Sequence, residues 1–290
     1  MIVNWRSARE FLSSAGRKHG GAARGASGYA LIIVLWTLVL IAFVIAHLSA
    51  MGRGEIRISG NLLANAAARA AADGAVNEAI FNLSNPQQDQ RWPIDGNPHL
   101  VTIGNSRVTI RLQDEAWWIN PNSASPALFA ALLHVTGVAP QAARSLAAAV
   151  AEWVGSAGAT RPQNAILADY QAAGLDYGPP GEPLETLDEL GRVVGMTPAI
   201  LAAIRPHLTL FGPPQPSPAT LDPVVAAALA EVAAGQPVPV ANQQPQDVLT
   251  TRITAVALGP GNASVTRNAI VRFGASLPHG YGVLAWRDTL

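Results

Sequence analysis

Residues 29–49 form one unbroken apolar run, Tyr-Ala-Leu-Ile-Ile-Val-Leu-Trp-Thr-Leu-Val-Leu-Ile-Ala-Phe-Val-Ile-Ala-His-Leu-Ser, with no formal charge inside it. At about 1.5 Å of rise per residue, a helix of that length covers about 31 Å, close to the hydrocarbon thickness of a bilayer. The pattern then turns periodic. Leu62, Ala66, Arg69, Ala72, Val76, Ala79, Ile80 and Leu83 follow mostly three- and four-residue steps, Arg69 being the polar exception. Asn61, Asn65, Asp73, Asn77 and Glu78 supply the polar faces. The pattern predicts a helix over 29–84, its first half in lipid and its second half packed on a domain. Gly52, Gly54 and Gly60 predict a kink, and Asn85-Pro86 a stop.

Beyond that stop the period changes to two. Residues 100–103 and 107–112 read as short strands joined by a tight Gly104-Asn105 turn. Val108, Ile110 and Leu112 alternate with Arg107, Thr109 and Arg111, which gives a strand with one buried face. From Ser125 the pattern is helical and punctuated by proline, with helices predicted at 126–134, 140–154, 164–173, 185–194, 198–206 and 222–234. Ser125 before Pro126 and Thr197 before Pro198 are helix-start signals. Residues 212–218 are proline-rich and read as an exposed connection, and 235–245 as a second loop. Strand signals return at 250–258, 265–273 and 282–287, with Gly259-Pro260-Gly261-Asn262 turning between the first two.

An α+β fold accounts for this order most economically: a long N-terminal helix packed on a small antiparallel sheet, with a large all-helical insertion. The expected divisions are a cytoplasmic leader at 1–28, a transmembrane helix at 29–49, spine and first strands at 50–119, a helical insertion at 120–245 and closing strands at 246–290.

Composition sharpens the picture in two places. Charged residues are only 13% of the chain, and they are unevenly spread. Arg6, Arg9, Arg17, Lys18 and Arg24 precede the apolar run against Glu10 alone, which keeps that end cytoplasmic and sends the bulk of the chain across the inner membrane. Beyond residue 28 remain 14 basic and 18 acidic residues, out of 19 of each overall, so the body is mildly acidic and a poor nonspecific ligand for nucleic acid. The absence of cysteine excludes disulfides, thiolate metal sites and cysteine nucleophiles.

Three readings compete for the N-terminal run. A cleaved secretory signal needs a shorter core and small residues after it, and Leu48 and Ala50 make a poor pair. A plain signal anchor is the second. The third rests on Gly28, directly between the basic leader and the apolar run: Gly28–Tyr29 resembles the junction that prepilin peptidases cleave, leaving the hydrophobic segment attached. Type IV pilins and most pseudopilins carry glutamate at the fifth mature position, where this chain has Ile33. The K-type pseudopilin is the one that usually lacks it.

Four further segments resemble, in order, the minor pseudopilin K family of the bacterial type II secretion system. Asp114-Glu115-Ala116-Trp117-Trp118-Ile119-Asn120-Pro121-Asn122 is similar to the family's approach to its helical domain. Tyr170-Gln171-Ala172-Ala173-Gly174-Leu175-Asp176-Tyr177-Gly178-Pro179 is similar to its tyrosine-rich loop. Leu184-Glu185-Thr186-Leu187-Asp188-Glu189-Leu190, then Gly195-Met196-Thr197, resembles the closing segment of that domain, and Val283-Leu284-Ala285-Trp286-Arg287 its last strand.

The resemblance implies a non-enzymatic component, with a methylated mature N-terminus, at the tip of a periplasmic pseudopilus. Its implied partners are H-, I- and J-type minor pseudopilins, the major pseudopilin, prepilin peptidase and the inner membrane. No cofactor or catalytic residue is expected. Members of the family can bind calcium in an acidic loop after an Asp-Trp dipeptide. The matching stretch begins Glu152-Trp153 and retains only Glu152 and Asp169 as carboxylates, with Arg161 between them, so the loop is expected to fold without a metal.

Two other classes compete. Residues 120–140, with Thr136-Gly137-Val138, look somewhat like a helix-hairpin-helix DNA-binding motif, and 190–199 are a weaker echo. Phosphate binding calls for nearby cations, and 121–161 hold only Arg144 and Arg161. An enzyme is disfavoured because no Gly-x-Ser-x-Gly, His-Glu-x-x-His or phosphate-binding glycine loop occurs, and His99, His134, His207 and His279 are scattered. Trp117 and Trp118, adjacent in an extended chain, are expected on opposite faces, at least one of them in the core. His47 is expected at the outer membrane interface.

Overall fold

The computed structural model describes residues 26–155, 161–235 and 248–288. The basic leader as far as residue 25 and the 236–245 part of the expected second loop lie outside the described residues. The chain divides into two compact units, Met1–Gly60 and Asn61–Leu290. Helix α1, Ala26–Leu83, contributes residues to both. Its backbone stays helical through Gly52, Gly54 and Gly60. A glycine in a helix costs about 1 kcal/mol relative to alanine, too little to interrupt so long a run.

In the second unit, α1 packs on a sheet through a face made mostly of alanine. Ala68, Ala71, Ala72, Ala75, Val76, Ala79, Ile80 and Leu83 are all buried there. Their three- and four-residue steps place them on one stripe. Small side chains let the helix axis approach the sheet closely. The stripe starts later than the sequence pattern suggested: Leu62 is 65% exposed, and Ala66 is also exposed. The sheet ends level with Ala64 and Ala68, where the 259–262 turn crosses the helix. A Cβ added at Gly259 would lie 3.1 Å from the Ala68 Cβ and 3.4 Å from the Ala64 carbonyl oxygen. Leu62 lies past that edge and has nothing to pack on.

Five strands, β1 (Pro98–Ile103), β2 (Ser106–Asp114), β3 (Val248–Leu258), β4 (Ser264–Gly274) and β5 (Tyr281–Arg287), form an antiparallel sheet in sequence order. Val108, Ile110 and Leu112 point inward as the alternation predicts, beside Ile253, Ala255 and Ala257 of β3 and Ala269, Val271 and Phe273 of β4. The α+β expectation is borne out. Strands β2 and β3 are hydrogen-bonded neighbours, with Asp114 opposite Thr251, although the helical part of the chain lies between them in sequence.

That helical part comprises α2 (Pro126–Val135), α3 (Pro140–Trp153), α4 (Gln163–Ala172), α5 (Pro198–Ile204) and α6 (Pro223–Gly235). It has its own core, built from residues such as Phe129, Leu132, Val150, Trp153, Ile166, Leu190 and Val225. Both start signals act as read: the Ser125 hydroxyl accepts from Leu128 N at 3.2 Å, and that of Thr197 from Ile200 N at 3.2 Å.

Three local expectations need correction. Residues 185–194 do not form an α-helix; only a short 3₁₀ turn, Leu187–Arg192, winds there. The chain is tied at both ends, by Asn122 to Leu184 and by the Tyr170 hydroxyl to Val194 N, which leaves little length for helix. The proline-rich 212–218 segment is not a free connection. Pro216 is buried, Ser217 N donates to the Ala116 carbonyl at 2.7 Å, and Asn120 Nδ2 donates to Gly212 O at 2.8 Å. Trp117 and Trp118 do not alternate between faces. Residues 115–117 form a 3₁₀ turn, capped by the Asp114 carboxylate accepting from Ala116 N, and each indole is 8% exposed.

The alanine face yields a test. Ala75→Leu overpacks the helix–sheet contact and should cost about 1–3 kcal/mol of unfolding free energy in detergent. The same change at exposed Ala67 should stay within about 0.5 kcal/mol. Equal effects at both positions in urea titrations would contradict the packing described.

Candidate membrane anchor and assembly surfaces

Residues Tyr29–Leu48 of α1 have a mean hydropathy of 2.8 and none of them is buried, so this stretch is long and apolar enough to cross a membrane. Its one hydroxyl at mid-run, Thr37, is satisfied within the helix, donating to Ile33 O at 2.8 Å and Val34 O at 2.9 Å. Internal pairing of that kind is what a hydrocarbon environment demands. Ile33 presents its side chain outward with the rest of the run. His47 stacks on Phe43, ring centroids 6.3 Å apart. Gly28 and Tyr29 both lie in the first turn of α1, and the Tyr29 side chain is 71% exposed.

In the second unit, chemistry concentrates where the chain leaves the sheet for the helical part. The Glu115 side chain has no exposed surface. Arg252 of β3 donates to its carboxylate from Nε to Oε1 at 2.7 Å and from Nη2 to Oε2 at 3.4 Å, and the Thr209 hydroxyl donates to Oε2 as well. The Arg252 guanidinium also lies over the Trp118 ring, 4.2 Å from its centroid. The Thr220 hydroxyl donates to the Trp117 carbonyl at 2.8 Å. Beside it, Ile119 bridges to Leu208, with Ile119 N donating to His207 O and Thr209 N to Ile119 O. No spacing rule joins Glu115 to Arg252; an acid directly before the apolar Ala-Trp-Trp-Ile run was the only sign.

The motif segments converge on the same region. Asn120 reaches Gly212 and also accepts from Asn122 N at 3.0 Å. Asn122 pairs with the Leu184 backbone in both directions, accepting from its N at 2.7 Å and donating to its O at 3.0 Å. Tyr170, 1% exposed, packs near Trp153 and Tyr177, with ring centroids 6.2 and 5.9 Å away. Burial raises its hydroxyl pKa above the usual phenol value.

The other candidate residues have structural partners. His134 meets Glu231 at 3.0 Å, His207 meets Asp222 at 2.7 Å, and His99 stacks on Trp92 with centroids 5.0 Å apart. In the hairpin-like turn after α2, Thr136 N donates to Leu132 O, Gly137 N to His134 O and Val138 N to Leu133 O. Those N–H groups are spent on capping the helix, so they cannot cradle a phosphate. In the second echo, Val193 N and Met196 N are likewise used, and Val194 N donates to Tyr170. The two carboxylates of the expected calcium stretch, Glu152 and Asp169, both face the Arg161 guanidinium, at 3.4 and 2.6 Å. That donor set does not fit calcium, which takes six to eight oxygens.

Exposed apolar side chains mark surfaces with no partner in the second unit: Phe81 at 83%, Leu63 at 73% and Leu100 at 71%, with Val283, Leu284 and Trp286 along the edge strand β5.

Removing one partner of the buried pair should be expensive. Arg252→Ala leaves the Glu115 carboxylate unpaired and should cost about 3–5 kcal/mol. The pair Arg252→Met with Glu115→Gln should cost clearly less than the two single changes added together. Additive losses in denaturant unfolding would remove the coupling assigned to this junction.

Comparison with known proteins agrees with this architecture. Residues 79–214 match the family model described as type II secretion system (T2SS), protein K. A chain of the solved GspK–GspI–GspJ complex from the type 2 secretion system of enterotoxigenic Escherichia coli shares the fold, with a TM-score of 0.50 at 17% identity over 82% of this chain and 99% of that one. No curated protein matches the sequence. The resemblance to the type II secretion system protein K family is therefore shown, by sequence over residues 79–214 and by fold.

Proposed function

We propose that this chain is a minor pseudopilin of the type II secretion system, which caps or initiates a periplasmic pseudopilus and so supports export of folded proteins across the outer membrane. The observation that carries the reading is the joining, in one chain, of an unburied apolar span at 29–48 to a protein K segment at 79–214. The basic leader holds the N-terminus in the cytoplasm, and the bulk of the chain lies in the periplasm. Prepilin peptidase cleaves after Gly28, leaving Tyr29 as a methylated N-terminus. The partners are H-, I- and J-type minor pseudopilins and the major pseudopilin, a choice supported by the solved complex whose chain shares this fold. The protein works by shape, anchoring and contact rather than by covalent chemistry. The DNA-binding alternative loses its main support, because the hairpin-like N–H groups are engaged in capping.

N-terminal sequencing and intact mass of the protein from membranes, with and without prepilin peptidase, test the reading. A peptidase-dependent start at Tyr29 is expected, lost on Gly28→Leu. A start at Met1 in both strains would reduce the protein to a plain anchored one. A start near Met51 would make it a conventionally exported one. A chain beginning at residue 50 should fail to restore secretion to a strain lacking the protein; restored secretion would show that the span is dispensable.

A further inference from the structure

The Glu152–Arg161–Asp169 cluster plays no part in anchoring or assembly as proposed above. Glu152 lies in the last turn of α3, with its side chain 6% exposed. A carboxylate so withdrawn from water needs a nearby positive charge or proton. Asp169 lies on α4 and is about half exposed. Arg161, just before α4, reaches both: Nη1 stands 3.4 Å from Glu152 Oε1, and Nη2 donates to Asp169 Oδ2 at 2.6 Å. The same Nη2 lies 3.4 Å from the Ala165 carbonyl oxygen, in the first turn of α4. The guanidinium therefore ties the end of one helix to the start and middle of the next. The hydrogen bond to Asp169, then the Glu152 charge, holds its pKa above the ordinary arginine value.

Members of the family can bind calcium in this stretch, and the residues present here do not suit that ion. Between 152 and 169 the sequence contains no carboxylate other than Glu152 and Asp169. Calcium takes six to eight oxygens, several of them anionic. Both carboxylates here are already engaged by a cation carried on the chain. A divalent ion approaching them would meet the Arg161 charge within hydrogen-bonding distance of its would-be ligands, and like charges so close repel. A guanidinium cannot dissociate into solvent and does not titrate in the physiological range.

We propose that Arg161 is the built-in cation here, tying Glu152 at the end of α3 to Asp169 on α4 without calcium. Other contacts hold the same neighbourhood together. Trp153 stacks toward Tyr170 of α4, and Gly181 N donates to the Trp153 carbonyl at 3.1 Å. Folding of the helical part is then independent of the calcium level in its compartment.

The test uses the full chain in detergent micelles, titrated with calcium chloride by calorimetry and melted in either EDTA or millimolar calcium. The wild type should show no saturable heat and the same Tm in both buffers. Arg161→Ala should lower the Tm in EDTA by about 2–4 °C. Glu152→Gln should offset part of that loss when combined with Arg161→Ala, because it removes the charge left unpaired. Saturable calcium binding by the wild type that is lost in Asp169→Asn would overturn the proposal. So would a wild-type Tm several degrees higher in calcium, or an Arg161→Ala melt equal to wild type in EDTA. Should Arg161→Ala fail to fold, the wild-type titration and melts decide alone. None of these readings depends on secretion or on peptidase processing, so they stand apart from the test of the pseudopilin assignment.

Discussion

Glu115 stands where the chain quits strand β2 for the helical part, and its carboxylate is met by Arg252 from β3 and by Thr209 from the segment between α5 and α6. Each of the three residues belongs to a different stretch of sequence, and each would be costly to bury alone. Together they join the sheet to the helical core at the point where the insertion begins. The Trp118 ring under the guanidinium, the Ile119–Leu208 bridge and the 212–218 strap all gather around this contact. An insertion between two adjacent strands is vulnerable to hinge motion, since only its two connections are obligatory. A buried carboxylate at the end of β2, paired with an arginine on the neighbouring strand, favours one arrangement over many.

Helix α1 carries two kinds of surface on one secondary structure. Over 29–48 it carries large aliphatic and aromatic side chains that no protein surface covers. From Ala68 it carries alanine instead, against a sheet face of valine, isoleucine and alanine. Bulky residues gain most from leaving water for lipid, whereas small ones gain by letting two backbones come close. The change in side-chain size along the helix thus records a change in what it packs against, which mean hydropathy alone would blur.

The asparagines and tyrosines of the family-like segments prove to be fasteners. Asn122 clamps Leu184 with a two-way hydrogen bond, Asn120 holds Gly212, and Tyr170 receives the N–H of Val194. Their positions in sequence could be matched to the family, but their partners lie 24 to 92 residues away and are backbone groups. A backbone atom carries no identity in the sequence, so no residue pattern points to it. The same reason hid the anchoring of 212–218, whose ties at Gly212 and Ser217 run through backbone groups: proline and glycine signal the absence of helix, not a free connection.

Local patterns alone determined the apolar span, the order of helices and strands, and the inward face of β2, because side-chain periodicity follows from the geometry of each element. The turn at Gly104-Asn105 and the caps at Ser125 and Thr197 were equally local, since each needs only neighbours within three residues. Tertiary structure decided where the alanine stripe starts, because that depends on where the sheet ends. It decided that 187–192 wind as a 3₁₀ turn, since tethers at Leu184 and Val194 limit the chain between them. It placed both Trp117 and Trp118 inside, by turning a stretch that alternation treated as extended. It also brought Glu115 to Arg252 and Arg161 to Glu152 and Asp169, because attraction between charges depends on distance through space, and sequence separation says little about that.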